Sequence, residues 1–261
     1  MPDNDISTEP VKKDPSPFPE IKVKWNALDG FVSVLALTAL LVGIYFGTSR
    51  LLRLLNTKQF ISLNIENIDN LTFSIFYGIQ VLLMLGIVWF FSIYWRRSNY
   101  RALGFRYYSI LKIIWYTFIS LIFIFLFSFV YVLALKYFFG IDAPSSKIEQ
   151  LISNNNISSN ILIAVTAVVA PFCEEIYFRG FLYQAFKRNF GVLAGLFLSS
   201  LLFSLAHLEM YSFVPIMAIG WLLAYIFEKT KSIFTVIIIH SVYNLILISI
   251  LLGKIQFIKM Y

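Results

Sequence analysis

The side chains able to do chemistry are few and fall late in the chain. Glu174 and Glu175 are adjacent, and Arg179 follows Glu175 by four. The chain has two histidines, His207 and His240, and Asn244 follows the second by four. Each sits in apolar sequence: ILIAVTAVVAPFCEEIYFRGFLYQAF at 161–186, FSLAH at 203–207 and HSVYN at 240–244. On a helix Glu175 and Arg179 share a face and can pair, while Glu174 points about 100° away with no local partner. A charge at mid-bilayer costs about 2.5–3.5 kcal/mol on insertion scales, so these groups should face the bundle interior or a wet cavity. An unpaired acid there suits a general base or a metal ligand. Histidine and carboxylate with an open position form the ligand set of a catalytic zinc site, which makes Glu174, His207 and His240 candidate Zn2+ ligands. His240 and Asn244 face one spot, and the Asn amide can donate to an oxyanion. The plainer alternatives are a buried ion pair that locks packing, core histidines and an interhelical Asn hydrogen bond.

The rest of the chain must position these groups. Of 261 residues, 59% are hydrophobic and 13% charged. Soluble domains carry about 25% charged residues. That balance excludes a water-facing globule and a disordered chain, and it fits an all-α polytopic helical membrane protein. One Cys excludes a disulfide framework and a Cys-rich zinc module. The net charge of +7 reads as loop topology, with no nucleic-acid partner. Residues 1–27, Pro-punctuated and without an apolar run, read as a disordered cytoplasmic tail, not a cleavable signal. Residues 28–261 read as a single helical transmembrane domain in the lipid bilayer. Apolar stretches at 30–49, 71–95, 113–135, 161–186, 191–207, 211–227 and 232–252 give about seven spans, with six to eight as the range. Pro171 should kink or restart the fourth.

Lys and Arg concentrate in the segments that are cytoplasmic if the N-terminus is inside: Lys22, Lys24, Arg96, Arg97, Arg101, Arg106, Lys187, Arg188, Lys229 and Lys231 among them. The run from Arg96 to Arg106 reads as a topology signal first and an anionic-headgroup contact second. Trp89, Trp95, Trp115 and Trp221 read as interface anchors or packing, Phe203 as packing and Cys173 as an inert thiol. Depth counted from span ends at about 1.5 Å per residue puts Glu174, His207 and His240 near 18, 25 and 12 Å, not level.

Taken in order, Glu-Glu-x-x-x-Arg at 174–179, Phe-x-x-x-His at 203–207 and His-x-x-x-Asn at 240–244 resemble the CPBP (CAAX-processing and bacteriocin-processing, or Abi) family of intramembrane proteases, relatives of the CAAX prenyl endopeptidases. The resemblance covers residues 150–252. It implies a helical bundle around an intramembrane polar cavity, in the plasma membrane if the source is bacterial. It also implies an endopeptidase acting on a membrane protein or peptide, lipid-modified in some members. By the same resemblance Glu174 activates water, His207 helps hold that water or a metal, His240 and Asn244 stabilise the oxyanion, and Glu175 and Arg179 support them. A non-catalytic scaffold or bacteriocin-immunity protein of the same fold is the alternative. A transporter comes third, because intramembrane carboxylates also mark proton paths.

Overall fold

The computed structural model describes residues 19–58, 65–144 and 159–260. Helix α1 runs Ala27–Thr57 and opens on a capping box, in which Asn26 and Asp29 each bond the other's backbone N–H. Helix α2, Ile65–Val88, widens into a π-helical turn at Trp89–Trp95. A 3-10 turn at Tyr100–Leu103 leads to α3, Ile110–Phe139. A long helical run follows: α4 Ser159–Ala164, a π turn Val165–Val169, α5 Ala170–Glu175, a π turn Ile176–Tyr183 and α6 Gln184–Ala206. Helices α7, Phe213–Thr230, and α8, Ile233–Met260, complete it.

Among the described residues six helical stretches are long and apolar enough to cross a bilayer, as an all-α integral membrane protein requires. One of them, Asn160–Ala206, has 47 residues. Straight, it would reach about 70 Å, more than twice a hydrocarbon core. It is not straight. Gly191 adopts φ 84° and ψ 174°, a backbone that costs an L side chain dearly and glycine nothing. Beyond that corner Gly195 lies so close to Lys187 that a Cβ would sit 3.0 Å from the Lys187 nitrogen. The two limbs are therefore face to face, and the break at Gly191 divides the run where the sequence separates the expected fourth and fifth spans.

The limb around 170–186 is the centre of the bundle. Phe181, Leu182, Tyr183, Ala185 and Phe186 are all fully buried. α3, in contrast, shows an almost continuous apolar surface, with Leu111, Trp115, Phe118, Leu126 and Phe129 exposed. Such a face suits lipid, not water. At Pro171, the expected site of a kink or restart, α geometry begins again at Ala170 after the wide turn Val165–Val169, with Pro171 in the first turn where its missing N–H costs least.

The expected tail needs one correction. Residues 1–18 lie outside the described residues, but 19–26 are fastened to the bundle. Trp25 is fully buried, stacks on Phe181 at 5.6 Å and donates to the Phe181 carbonyl at 3.0 Å. Arg188 donates to the Lys24 carbonyl at 2.6 Å and the Trp25 carbonyl at 3.0 Å. Arg106 donates to the Pro19 carbonyl, and Lys187 pairs with Glu20. One buried indole with a satisfied N–H is enough to order a short segment whose Pro-rich neighbourhood reads as disorder.

The same contacts bring the basic segments to one end of the bundle. Lys24 meets the loop at Arg97, Lys187 and Lys231 meet Glu228, and Ser232 donates to the Arg106 carbonyl.

Candidate active site

Three helices build the site. The run through α5 carries the acid pair, α6 carries Phe203 and His207, and α8 carries His240 and Asn244. The unequal depths expected from span lengths disappear because α8 starts below the surface. The Ile233 N–H donates to the Gly104 carbonyl at 2.8 Å, and a Cβ on Gly180 would touch the Leu103 carbonyl at 3.0 Å. The loop after the 3-10 turn thus dips in and sets the start of α8 level with Gly180. Glu174 lies six residues on from Gly180, about 9 Å, and His240 seven residues on from Ile233, about 10 Å.

Glu175 is fully buried and Arg179 is 1% exposed. They pair at 2.9 Å as the i,i+4 spacing predicts. Two desolvated charges need further partners, and both have them. Arg179 also donates to the Gly220 carbonyl at 3.1 Å and lies 4.3 Å over the Phe203 ring. Glu175 Oε1 also accepts from His240 Nδ1 at 2.8 Å. The acceptor fixes the imidazole tautomer: Nδ1 carries hydrogen, and Nε2 is turned the other way.

Nε2 turns toward Glu174, 3.8 Å from Oε2. That is beyond a hydrogen bond and within reach of one bridging water. The Glu174 side chain is 14% exposed and that of Glu175 not at all, so of two adjacent acids one is sealed and the other partly open. Asn244 is half-buried, and its Nδ2 donates to the Thr166 carbonyl at 2.9 Å. One amide hydrogen is spent in that bond, which fixes the plane of the amide and with it the direction of the second.

His207 takes a less central place. It caps the C-terminus of α6, is exposed, and its Nδ1 bonds the Phe203 carbonyl at 2.8 Å. It reaches the rest through Phe203, whose ring lies 4.7 Å from His207 and 5.8 Å from His240. The candidate zinc set of Glu174, His207 and His240 does not fit a metal in this arrangement. Among the described residues no group of three His, Cys, Asp or Glu side chains is placed to hold one.

Two contributors had no signal in the spacing. Thr166 acts through its carbonyl, and Gly220 through its carbonyl and its lack of a side chain. Phe203, four residues before His207, reads from the sequence as packing; its ring lies against Arg179, His207 and His240. Cys173 is buried, as an inert thiol would be.

Comparison with known proteins agrees with this geometry. Residues 156–246 match the family model described as type II CAAX prenyl endopeptidase Rce1-like. Over 110 residues the chain is 31% identical to "Putative membrane peptidase YdiL" of Bacillus subtilis (strain 168). That alignment covers 41% of this chain and 44% of that protein, so the chain spans under half the length of the curated relative it matches. No solved structure matches. The matched segment contains all three motifs and every side chain of the site, and in that segment the chain is similar to the Rce1-like family.

Proposed function

We propose that this chain is an intramembrane endopeptidase that hydrolyses a peptide bond in a membrane-associated protein or peptide, with water activated by Glu174. The observation that carries this reading is the unequal treatment of the two acids. Glu175 is consumed by Arg179 and His240, whereas Glu174 keeps a partly open carboxylate facing an imidazole nitrogen across 3.8 Å. A scaffold has no use for that second acid.

In this mechanism a water between Glu174 and His240 Nε2 attacks the carbonyl carbon as Glu174 takes its proton. His240 Nε2 accepts the water's other hydrogen and so aims its oxygen, and the new C–O bond leaves a tetrahedral oxyanion, which accepts from the second amide hydrogen of Asn244. Collapse breaks the C–N bond, and Glu174 returns the proton to the leaving amine. Glu175 and Arg179 hold His240 in its tautomer and orientation. His207 closes the outer rim. Zn2+ remains the second arm of the test, because a bound metal would polarise the carbonyl and acidify the water.

The family's name points to a lipid-modified substrate, and the Bacillus relative's name to a membrane peptidase. A bilayer-tethered peptide cut near the basic end, with that end and the N-terminus cytoplasmic, fits both. The exposed, peripheral position of His207 favours one second reading, a binding protein of the same fold that does no hydrolysis. Purified wild type and Glu174→Gln, each with and without chelator, against a pooled library of membrane-tethered peptides separate these readings. Cleavage by wild type alone is expected, unchanged by chelator. Equal cleavage by both proteins would overturn the role of Glu174. Chelator-sensitive cleavage restored by zinc would replace the glutamate–water mechanism with a metal one.

A further inference from the structure

A groove of about 780 Å³ opens at the basic end of the bundle, away from the acid pair. Two separate pieces of chain wall it. The segment before α1 supplies Lys22 and Lys24; the end of α2 and the loop after it supply Trp89, Ile93, Arg97 and Tyr100. Lys24 Nζ donates to the Arg97 carbonyl at 2.9 Å and ties the walls together. Arg97 itself holds a left-handed backbone, φ 47°. That conformation is unfavourable for an arginine and persists only where the surroundings impose it. Among the described residues, the side chains of Lys22 and Arg97 are exposed and pair with no carboxylate. Three cations therefore share one concavity that no carboxylate among the described residues lines.

The other wall is of a different kind. Trp89 is 57% exposed, and Tyr94 and Trp95, next along the same π turn, are exposed too. Exposed Trp and Tyr at the end of a membrane span mark the headgroup level. The groove thus runs from aromatic, lipid-facing chain to a cationic rim at interfacial depth. A free phosphate or a nucleotide would use the rim and leave Trp89 and Ile93 idle. The geometry points to an anionic phospholipid as the occupant, its phosphate among Lys22, Lys24 and Arg97 and its glycerol and first acyl carbons along Trp89 and Ile93. The lipid would clip the segment before α1 to the loop after α2, adding to the hold of Arg188 and Lys187. This inference is independent of the peptidase reading.

Native mass spectrometry of the purified full chain in detergent tests it, with phosphatidylglycerol and chain-matched phosphatidylcholine as probes. Wild type should retain phosphatidylglycerol over phosphatidylcholine. Each interfacial cation adds enough attraction that Lys22→Gln/Arg97→Gln should weaken retention about 30-fold. Lys22→Gln alone, in an exposed extended position that folding does not need, should weaken it about 5-fold. Arg50→Gln, far along α1, should change nothing. Equal retention of phosphatidylglycerol by Lys22→Gln and wild type would overturn the site. So would equal retention of the two lipids, or full displacement of phosphatidylglycerol by glycerol 3-phosphate, which has the phosphate and no tail.

Discussion

His240 and Glu175 share a 2.8 Å hydrogen bond between helices, with Nδ1 on Glu175 Oε1. The same oxygen receives Arg179. One buried carboxylate oxygen therefore fixes both a cation on its own helix and an imidazole from α8, and the rest of the site is oriented from that point.

Removing that carboxylate should cost stability before it costs chemistry. Glu175→Gln leaves Arg179 buried without a counter-charge, a change that typically destabilises by about 3–5 kcal/mol. A large fall in Tm is expected in detergent. Glu175→Gln/Arg179→Met should recover much of it, because the orphaned charge is gone, and should stay inactive. A thermal-shift series of wild type and the two variants, with cleavage measured alongside, checks both statements.

Glu174→Gln should behave in the opposite way. The side chain is not part of the buried pair, so Tm should hold. Turnover should fall by about 10²–10⁴-fold, the usual worth of a positioned general base. Parallel thermal and cleavage measurements separate this outcome from simple misfolding.

Gly220→Ala tests the packing beneath Arg179. A Cβ there would sit 3.2 Å from Phe203 Cδ1 and 3.2 Å from Ser200 Cα. Phe203 must shift, and with it the ring under the guanidinium. A loss of about 1–3 kcal/mol is expected from this overpacking. Gly220→Ala paired with Phe203→Leu should lose less than the two single changes added together, which a double-mutant cycle measures directly.

Acid should loosen the segment before α1. The hydrogen bond from Lys187 is the main cause that holds the Glu20 carboxyl below its ordinary value of 4.5. A lowered folded-state value means that the contact stabilises fully above the ordinary value and is lost as pH falls through the lowered one. Amide exchange at residues 20–26 should therefore be slow at neutral pH and accelerate below about pH 4.5, beyond the intrinsic trend. In Glu20→Gln this extra acceleration should be absent. Glu20 is largely exposed, so the effect is local.

Much of this arrangement was legible in the sequence, for reasons particular to each element. The spacing of Glu175 and Arg179 dictates their pairing once the segment is helical, and Glu174, about 100° away, had to face elsewhere. The apolar stretches fall on each of the six candidate spans among the described residues, because hydrophobic length is a direct constraint of the bilayer. The level of the acids and His240 was not legible. It depends on the loop at Leu103 and Gly104 entering the bundle, which span length does not encode. The roles of Thr166 and Gly220 lie in backbone carbonyls that every residue has. The anchoring of residues 19–26 had a signal that composition obscured: Trp25 next to Asn26, with Asp29 three residues on to close a capping box.

The π turn at Ile176–Tyr183 has a consequence for how this chain can change length. A π turn holds one residue more than the α turn it replaces. Deleting a residue from an α-helix shifts everything beyond it out of phase, but a deletion here would let the helix relax to α geometry. The cost would fall on the turn itself: Arg179 lies inside it and would lose its place between Glu175 and the Gly220 carbonyl. A chain shortened by one residue in this turn should still insert and fold, with the flanking helices in phase and Arg179 misplaced.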